Sequence, residues 1–345
     1  MRFRGGGEDM EVGEVPSQQV ERPASGKAPS TARVERFDSA QAKLWNDFVA
    51  RSKNGTFLFD RNYMDYHADR FVDHSLMVWQ GDRLIAMLPA NERDGALYSH
   101  GGLTFGGFVT DERMTAGAML ETFTALLDYA ARHGCRRIVY KPAPHIYHGV
   151  PAEEDLYALV RCHARLVRRD ISSTINMTQR IDMTKGRKWA ANKARKAGIA
   201  VRPSDQFEMF MELEAEHLAL KYGVKPTHTP AEMRLLANRF PNNIRLFAAY
   251  EGPTLLGGTV VYESGNVAHT QYIASTDRGR ELAALDAVMD HLLSDVYANK
   301  CYFDFGISTE DGGRYLNLGL IANKESYGAR ATATDWYELD VAEAA

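Results

Sequence analysis

The chain has 345 residues, 45% hydrophobic and 25% charged, with a formal net charge of −4. It is long enough to bury a large core, in two domains rather than one, and its acidic balance excludes capture of nucleic acid or anionic lipid by overall charge. Apolar runs such as Met119 to Ala131 are amphipathic and too short to span a bilayer, and the N-terminus lacks the apolar stretch of a signal peptide, so a cytoplasmic protein is expected.

Residues 1–32 combine Gly, Pro, Ser and mixed charges without an apolar period, and are expected to form a disordered tail. From Arg33 onward one pattern is written twice. Val34–Phe37 reads as a strand, followed by an amphipathic helix through Trp45 and Phe48; Val201–Pro203 and a helix through Phe207, Phe210 and Leu213 repeat it. Leu76–Trp79, the turn Gly81-Asp82 and Leu84–Leu88 form one predicted hairpin; Leu246–Tyr250, Gly252-Pro253 and Leu255–Val261 form its counterpart. A third strand containing a histidine follows in each copy, Ala96–His100 and Asn266–Ile273. Helices over Ala118–His133 and Leu282–Asn299 then lead into short apolar strands, Arg137–Tyr140 and Cys301–Phe305. The spacing of roughly 165 to 170 residues suits a duplicated α/β unit, because solenoid repeats are much shorter. The expected division is a first lobe over 33–180 and a second over 181–345.

Cys135, Cys162 and Cys301 are odd in number and widely spaced, which reads as buried free thiols rather than disulfides or a zinc site. His145 and His148, three apart, lack an evident third ligand, so no metal is expected. Between Arg161 and Arg202 lie twelve arginines and lysines against only Asp170 and Asp182, and the helix Gly186–Gly198 carries much of this belt. Such a belt, with Arg187 and Lys188 in it, can neutralise phosphates, or it can be a solvated face. Thr229 before Pro230 reads as an ordinary helix cap.

The second copy ends in Tyr302-Phe303-Asp304-Phe305-Gly306 and, further on, Lys324-Glu325-Ser326-Tyr327-Gly328. With the tandem order of elements, these segments resemble the FemABX-related group of acyltransferases, built from two lobes like Gcn5-related N-acetyltransferases (GNAT). The resemblance implies an α/β (α+β) fold of two tandem GNAT-like lobes, each a mixed, mainly antiparallel sheet flanked by helices. It also implies transfer of an acyl group from acyl-CoA, acetyl-CoA in the first instance, to an amine. The acceptor kinds it suggests are an amino sugar, a nucleotide-linked sugar or another cell-envelope or polysaccharide precursor. A tRNA-borne aminoacyl donor is the alternative within the group, and an inactive module that binds a nucleotide sugar or a partner protein is the alternative outside it.

The usual CoA phosphate loop is replaced by Thr276-Asp277-Arg278-Gly279-Arg280-Glu281. Arg278, Gly279 and Arg280 are the candidate cofactor contacts, although Asp277 and Glu281 repel phosphate and a plain helix cap explains the segment equally well. Acyl transfer to an amine needs a base, an orienting group and charge stabilisation. His269 is the candidate base and Asp304 the base or its orienter, while Lys324 matches the lysine of the Lys-x-x-aromatic-Gly segment, with a surface pair to Glu325 as its other reading. Candidate substrate contacts are Lys141, His145 and His148 on a proline-stiffened strand exit, Gln271 and Tyr272 beside His269, the polar loop Ser308, Thr309 and Glu310, and Arg187 of the basic belt. The glycine-rich run Ser99–Phe108 suits either close backbone approach to a ligand or a bulged strand end.

Overall fold

The computed structural model describes residues 32–344. The expected tail lies outside the described residues except for Ala32, which already belongs to the first strand.

The first half runs β1 (Ala32–Arg36), α1 (Ala42–Arg51), α2 (Arg61–Met64), β2 (Val72–Asp73), β3 (Leu76–Gln80), β4 (Arg83–Leu88), β5 (Asn91–Arg93), β6 (Ala96–Tyr98), β7 (Val109–Thr110), α3 (Ala116–Arg132), β8 (Arg137–Tyr140), α4 (Glu154–Arg161) and β9 (Arg165–Asn176). In α1, Trp45, Phe48 and Val49 share one face and are buried. The β3–β4 hairpin turns at Gly81, whose φ of +59° few other residues adopt. One expectation fails. Ala96–Tyr98 does not extend the β3–β4 sheet; β7 takes that edge, and β6 pairs instead with β5 and β8. The glycine run folds back on itself to allow this: a Cβ on Gly106 would fall 1.5 Å from the Ser99 carbonyl oxygen. The glycines therefore serve chain packing.

The second half continues with α5 (Lys185–Lys196), β10 (Ala200–Ser204), α6 (Phe207–Tyr222), α7 (Pro230–Arg239), β11 (Ile244–Glu251), β12 (Thr254–Glu263), β13 (Val267–Ser275), α8 (Asp277–Glu281), α9 (Ala284–His291), β14 (Tyr302–Ile307), β15 (Thr309–Glu310), β16 (Tyr315–Leu316), α10 (Leu318–Glu325) and β17 (Arg330–Asp340). Thr229 and Glu232 close a capping box on α7, with Pro230 in its first turn. Of the three cysteines only Cys135 is buried; Cys162 is half-buried and Cys301 exposed, because Cys301 stands just before β14 rather than inside it.

The two halves exchange their last strands. Beside a four-stranded sheet β1-β3-β4-β7, the main sheet has eleven strands in the order β10-β11-β12-β13-β14-β9-β17-β8-β6-β5-β2. Thus β9, from the first half, pairs with β14 of the second, while β17, from the second, pairs with β8 of the first. The cores follow the strands rather than the chain. Ile175 of β9 packs among Phe247, Val288 and Phe303, and Leu339 of β17 among Leu76, Phe123 and Ile138. A further cluster joins Trp45, Phe48 and Tyr63 to Phe210, Met233 and Tyr262 across the two halves.

Ile175 and Leu339 are both fully buried, so Ile175→Ala and Leu339→Ala should each lower the unfolding free energy by about 2–5 kcal/mol. Since each residue belongs by chain to one half and by packing to the other, calorimetry should show a single unfolding transition that moves down in both variants. Two resolved transitions, only one of them responding, would contradict the coupling.

Candidate active site

β13 and β14 run parallel and pair at only three positions, ending with His269 opposite Asp304. Beyond that pair they diverge. Gly306, at φ +75°, turns β14 away, and a Cβ there would press to 3.2 Å from the His269 ring. The Lys324 ammonium holds the turned segment, donating to the carbonyls of Gly306 and Ile307 at 2.8 and 2.7 Å. Two cavities of about 390 and 370 Å³ flank the divergence, and Phe305 lines both.

Asp304 is 3% exposed. One carboxylate oxygen accepts from Ser172 Oγ at 2.6 Å and Thr174 Oγ1 at 2.9 Å, both on β9, and the other lies 2.7 Å from His269 Nδ1. Burial alone would push this carboxyl up, but the His269 hydrogen bond and charge, helped by the two hydroxyls, outweigh it and hold Asp304 below the usual carboxylate range. An ionised Asp304 fixes the His269 proton on Nδ1 and leaves the lone pair on Nε2. The sequence candidates His269 and Asp304 thus meet as a hydrogen-bonded dyad at the wall of the 370 Å³ cavity.

The other walls of that cavity come from both halves, with Thr104, Phe105, Lys141 and Tyr147 facing Gln271 and Trp336. Of the sequence candidates for substrate contact, Lys141 and Gln271 line this cavity. His145 is exposed, stacking edge-on to Tyr302, and His148 is buried with Nε2 on the Ala143 carbonyl; neither lines the cavity, which Ile146 and Tyr147 reach instead. Tyr272 points to the opposite side of β13 and hydrogen-bonds His228 Nδ1 at 2.5 Å. In the polar loop, Ser308 is buried, Thr309 donates to Asp170 at 2.6 Å, and Glu310 accepts from Asn317. None of these three lines the cavity, which the preceding Ile307 borders.

The 390 Å³ cavity, on the other flank, is lined by Arg187, Glu214, Gly279, Arg280 and Lys324. Lys324 is buried rather than paired at the surface, and burial pushes it down to about 8. Arg187 belongs to this cavity rather than to the substrate side, bonded to Asp286 at 2.9 Å and stacked on Tyr327. The segment before α9 behaves as a capped helix: Thr276 Oγ1 takes the Gly279 N–H. Arg278 turns outward to Glu251, whereas Arg280 reaches the cavity wall while bonded to the Ser275 carbonyl and Asp277. The cavity's cations are already engaged.

Half of the twelve belt cations, Arg187 among them, are likewise paired with acids. Arg165 pairs with Glu338, Arg168 with Asp170, Arg169 with Asp335, Lys188 with Asp182 and Arg195 with Asp290. Most of these acids lie on β17 and α9, far away in the chain, and a cation already paired has less to offer a phosphate.

Glu214 is the residue that sequence reasoning passed over. It stands on the apolar stripe of α6, three residues after Met211 and four after Phe210, and is 6% exposed with Oε2 unpartnered. A carboxylate at a core position of an amphipathic helix was the available signal. Burial pushes it up to about 7. Its folded-state value exceeds the unfolded one, so its contribution to stability is present at low pH and lost as pH rises through about 7. Glu214→Gln should therefore raise the melting temperature at pH 8.5 by several degrees more than at pH 4.5. An equal effect at both pH values would show that the carboxylate carries no burial strain.

Residues 180–315 match the family model of the acetyltransferase (GNAT) domain. The fold extends further than that match. The crystal structure of FemX superposes with a TM-score of 0.64 at 13% identity, covering 87% of this chain and 96% of FemX. The C-terminal domain of an Agrobacterium fabrum protein assigned as a lysylphosphatidylglycerol synthetase gives 0.60 at 11% identity, covering 88% and 92%. L-PGS from Bacillus licheniformis gives 0.56 at 10% identity, covering 88% and 91%. No curated protein sequence matches the chain. The resemblance to the FemABX-related, GNAT-like acyltransferases is therefore borne out, by a domain match confined to the second half and a fold shared along nearly the whole chain.

Proposed function

We propose that the protein is an N-acyltransferase that moves an acyl group, acetyl in the first instance, from acyl-CoA to an amine. The observation that carries this reading is the His269–Asp304 dyad, set where two strands part between a pair of cavities. The donor belongs in the 390 Å³ cavity, with Arg280 and Lys324 on its wall, and the acceptor amine in the 370 Å³ cavity. A bound donor supplies the activated carbonyl. The chain's own contribution is position and proton handling: His269 Nε2 accepts the proton leaving the amine, and Asp304 stabilises the imidazolium while Ser172 and Thr174 keep its carboxylate in place. Lys324 holds the carbonyls of Gly306 and Ile307 and so sets the width of the opening. An amino sugar or another cell-envelope precursor in the cytoplasm is the acceptor kind this reading favours.

One observation favours a second reading. Glu214 places a carboxyl group with an unpartnered oxygen at the donor cavity, a group suited to the ammonium of an aminoacyl donor and of no use to a plain acetyl group.

With a donor and amine that give turnover, His269→Ala should lower kcat by about 10²–10⁴, with an unchanged circular-dichroism spectrum, and Asp304→Asn should also lower it. Normal turnover in His269→Ala removes the base assignment. In calorimetric titration with acetyl-CoA, Arg280→Glu should weaken binding while Arg278→Glu leaves it near wild type, since only Arg280 reaches the cavity. Equal losses in the two would move the donor out of this cavity.

A further inference from the structure

The described residues include three buried lysines, and two of them are satisfied by the fold. Lys53 pairs with Glu154, and Lys324 donates to two carbonyls. Lys141 differs. It is 7% exposed, its ammonium bonds the Leu103 carbonyl, and it lies 4.5 Å from the centre of the Trp336 ring. An ammonium has three protons to donate, and no carboxylate among the described residues stands within ion-pairing distance of this one.

The acid whose charge acts on it, Asp170, is committed elsewhere. Its carboxylate receives Arg168 at 2.7 and 3.2 Å and Thr309 at 2.6 Å. Arg168 lies over the same Trp336 ring, 4.8 Å from its centre, so two cations flank one indole at this end of the cavity. Burial and the Arg168 charge push Lys141 down to about 7. A buried cation with spare donors is costly to keep and is stabilised by an anion that enters the cavity with matching geometry.

We infer that the Lys141 end of the acceptor cavity binds an anionic group, a carboxylate or a phosphate, so that the acceptor is an amine that also carries a negative charge. The amine then faces His269 while the anion anchors the molecule beside Trp336. This rests on the assignment of the 370 Å³ cavity to the acceptor and adds to it the acceptor's chemical class. Neutral amines of the same size lack the anchor. Tyr147, Phe105 and Ile146 supply an apolar wall between the two ends.

Calorimetric titration of the full chain with two matched pairs tests this: glucosamine against glucosamine 6-phosphate, and pentylamine against 6-aminohexanoate. At least one anionic member should bind about tenfold or more tightly than its neutral partner. The pair that shows the preference identifies phosphate or carboxylate as the anchor. Lys141→Met should abolish the preference. Equal affinities within both pairs, or no binding of either anionic probe, overturn the inference using wild-type protein alone. A preference that survives in folded Lys141→Met overturns the assignment to this residue. The outcome is separable from the transferase reading, because anion-dependent binding without acyl transfer to any amine would count against that reading and leave the anion site at Lys141 standing.

Discussion

Two hydroxyls on β9 decide whether there is a site at all. Asp304 is buried within the apolar strand β14, and taking a carboxylate out of water costs several kcal/mol unless donors replace the lost solvent. Ser172 and Thr174 provide those donors together with His269, each charge-assisted bond contributing about 1.5–3 kcal/mol. Both hydroxyls come from the other half of the chain. The dyad therefore depends on β9 lying against β14, and β9 is kept there by β17 on its far side.

The same arrangement separates the tasks of the two halves. β13 and β14 open only after His269 and Asp304, so the dyad sits at the apex of a wedge with a cavity on each flank. The second half builds the wedge and supplies the lining of the 390 Å³ cavity. The first half contributes the strand exit at Lys141–Tyr147 and the loop at Thr104 and Phe105, which wall the 370 Å³ cavity. Its own equivalent strand, β8, runs into Lys141-Pro142 where β14 runs into Phe305-Gly306, and it carries no acid in the position of Asp304.

Much of this is legible in the sequence because it is local. The hairpins announce themselves by alternation and a turn glycine, α7 by Thr229-Pro230 and Glu232, and the site strand by an acid set in an apolar run. What stays hidden depends on partners far apart in the chain. The strand exchange leaves no mark on either strand's own pattern. The basic belt looks unneutralised within Arg161–Arg202 because Asp335, Glu338, Asp286 and Asp290 approach it only after folding. His148 and Tyr272 fit the chemistry by type and neighbourhood, yet hydrogen bonds to Ala143 and His228 turn them away. Glu214 stays hidden for the opposite reason, as a polar letter in an apolar stripe.

The exchange also bears on how the chain can be made. While the ribosome is still adding the second half, β8 has β6 on one side but must wait for β17 on the other. β9 waits likewise for β14 and β17. A sheet edge left open during synthesis is a template for pairing with another nascent chain. The first half, expressed by itself, would meet that hazard permanently, and a cell producing the whole protein meets it for as long as translation lasts.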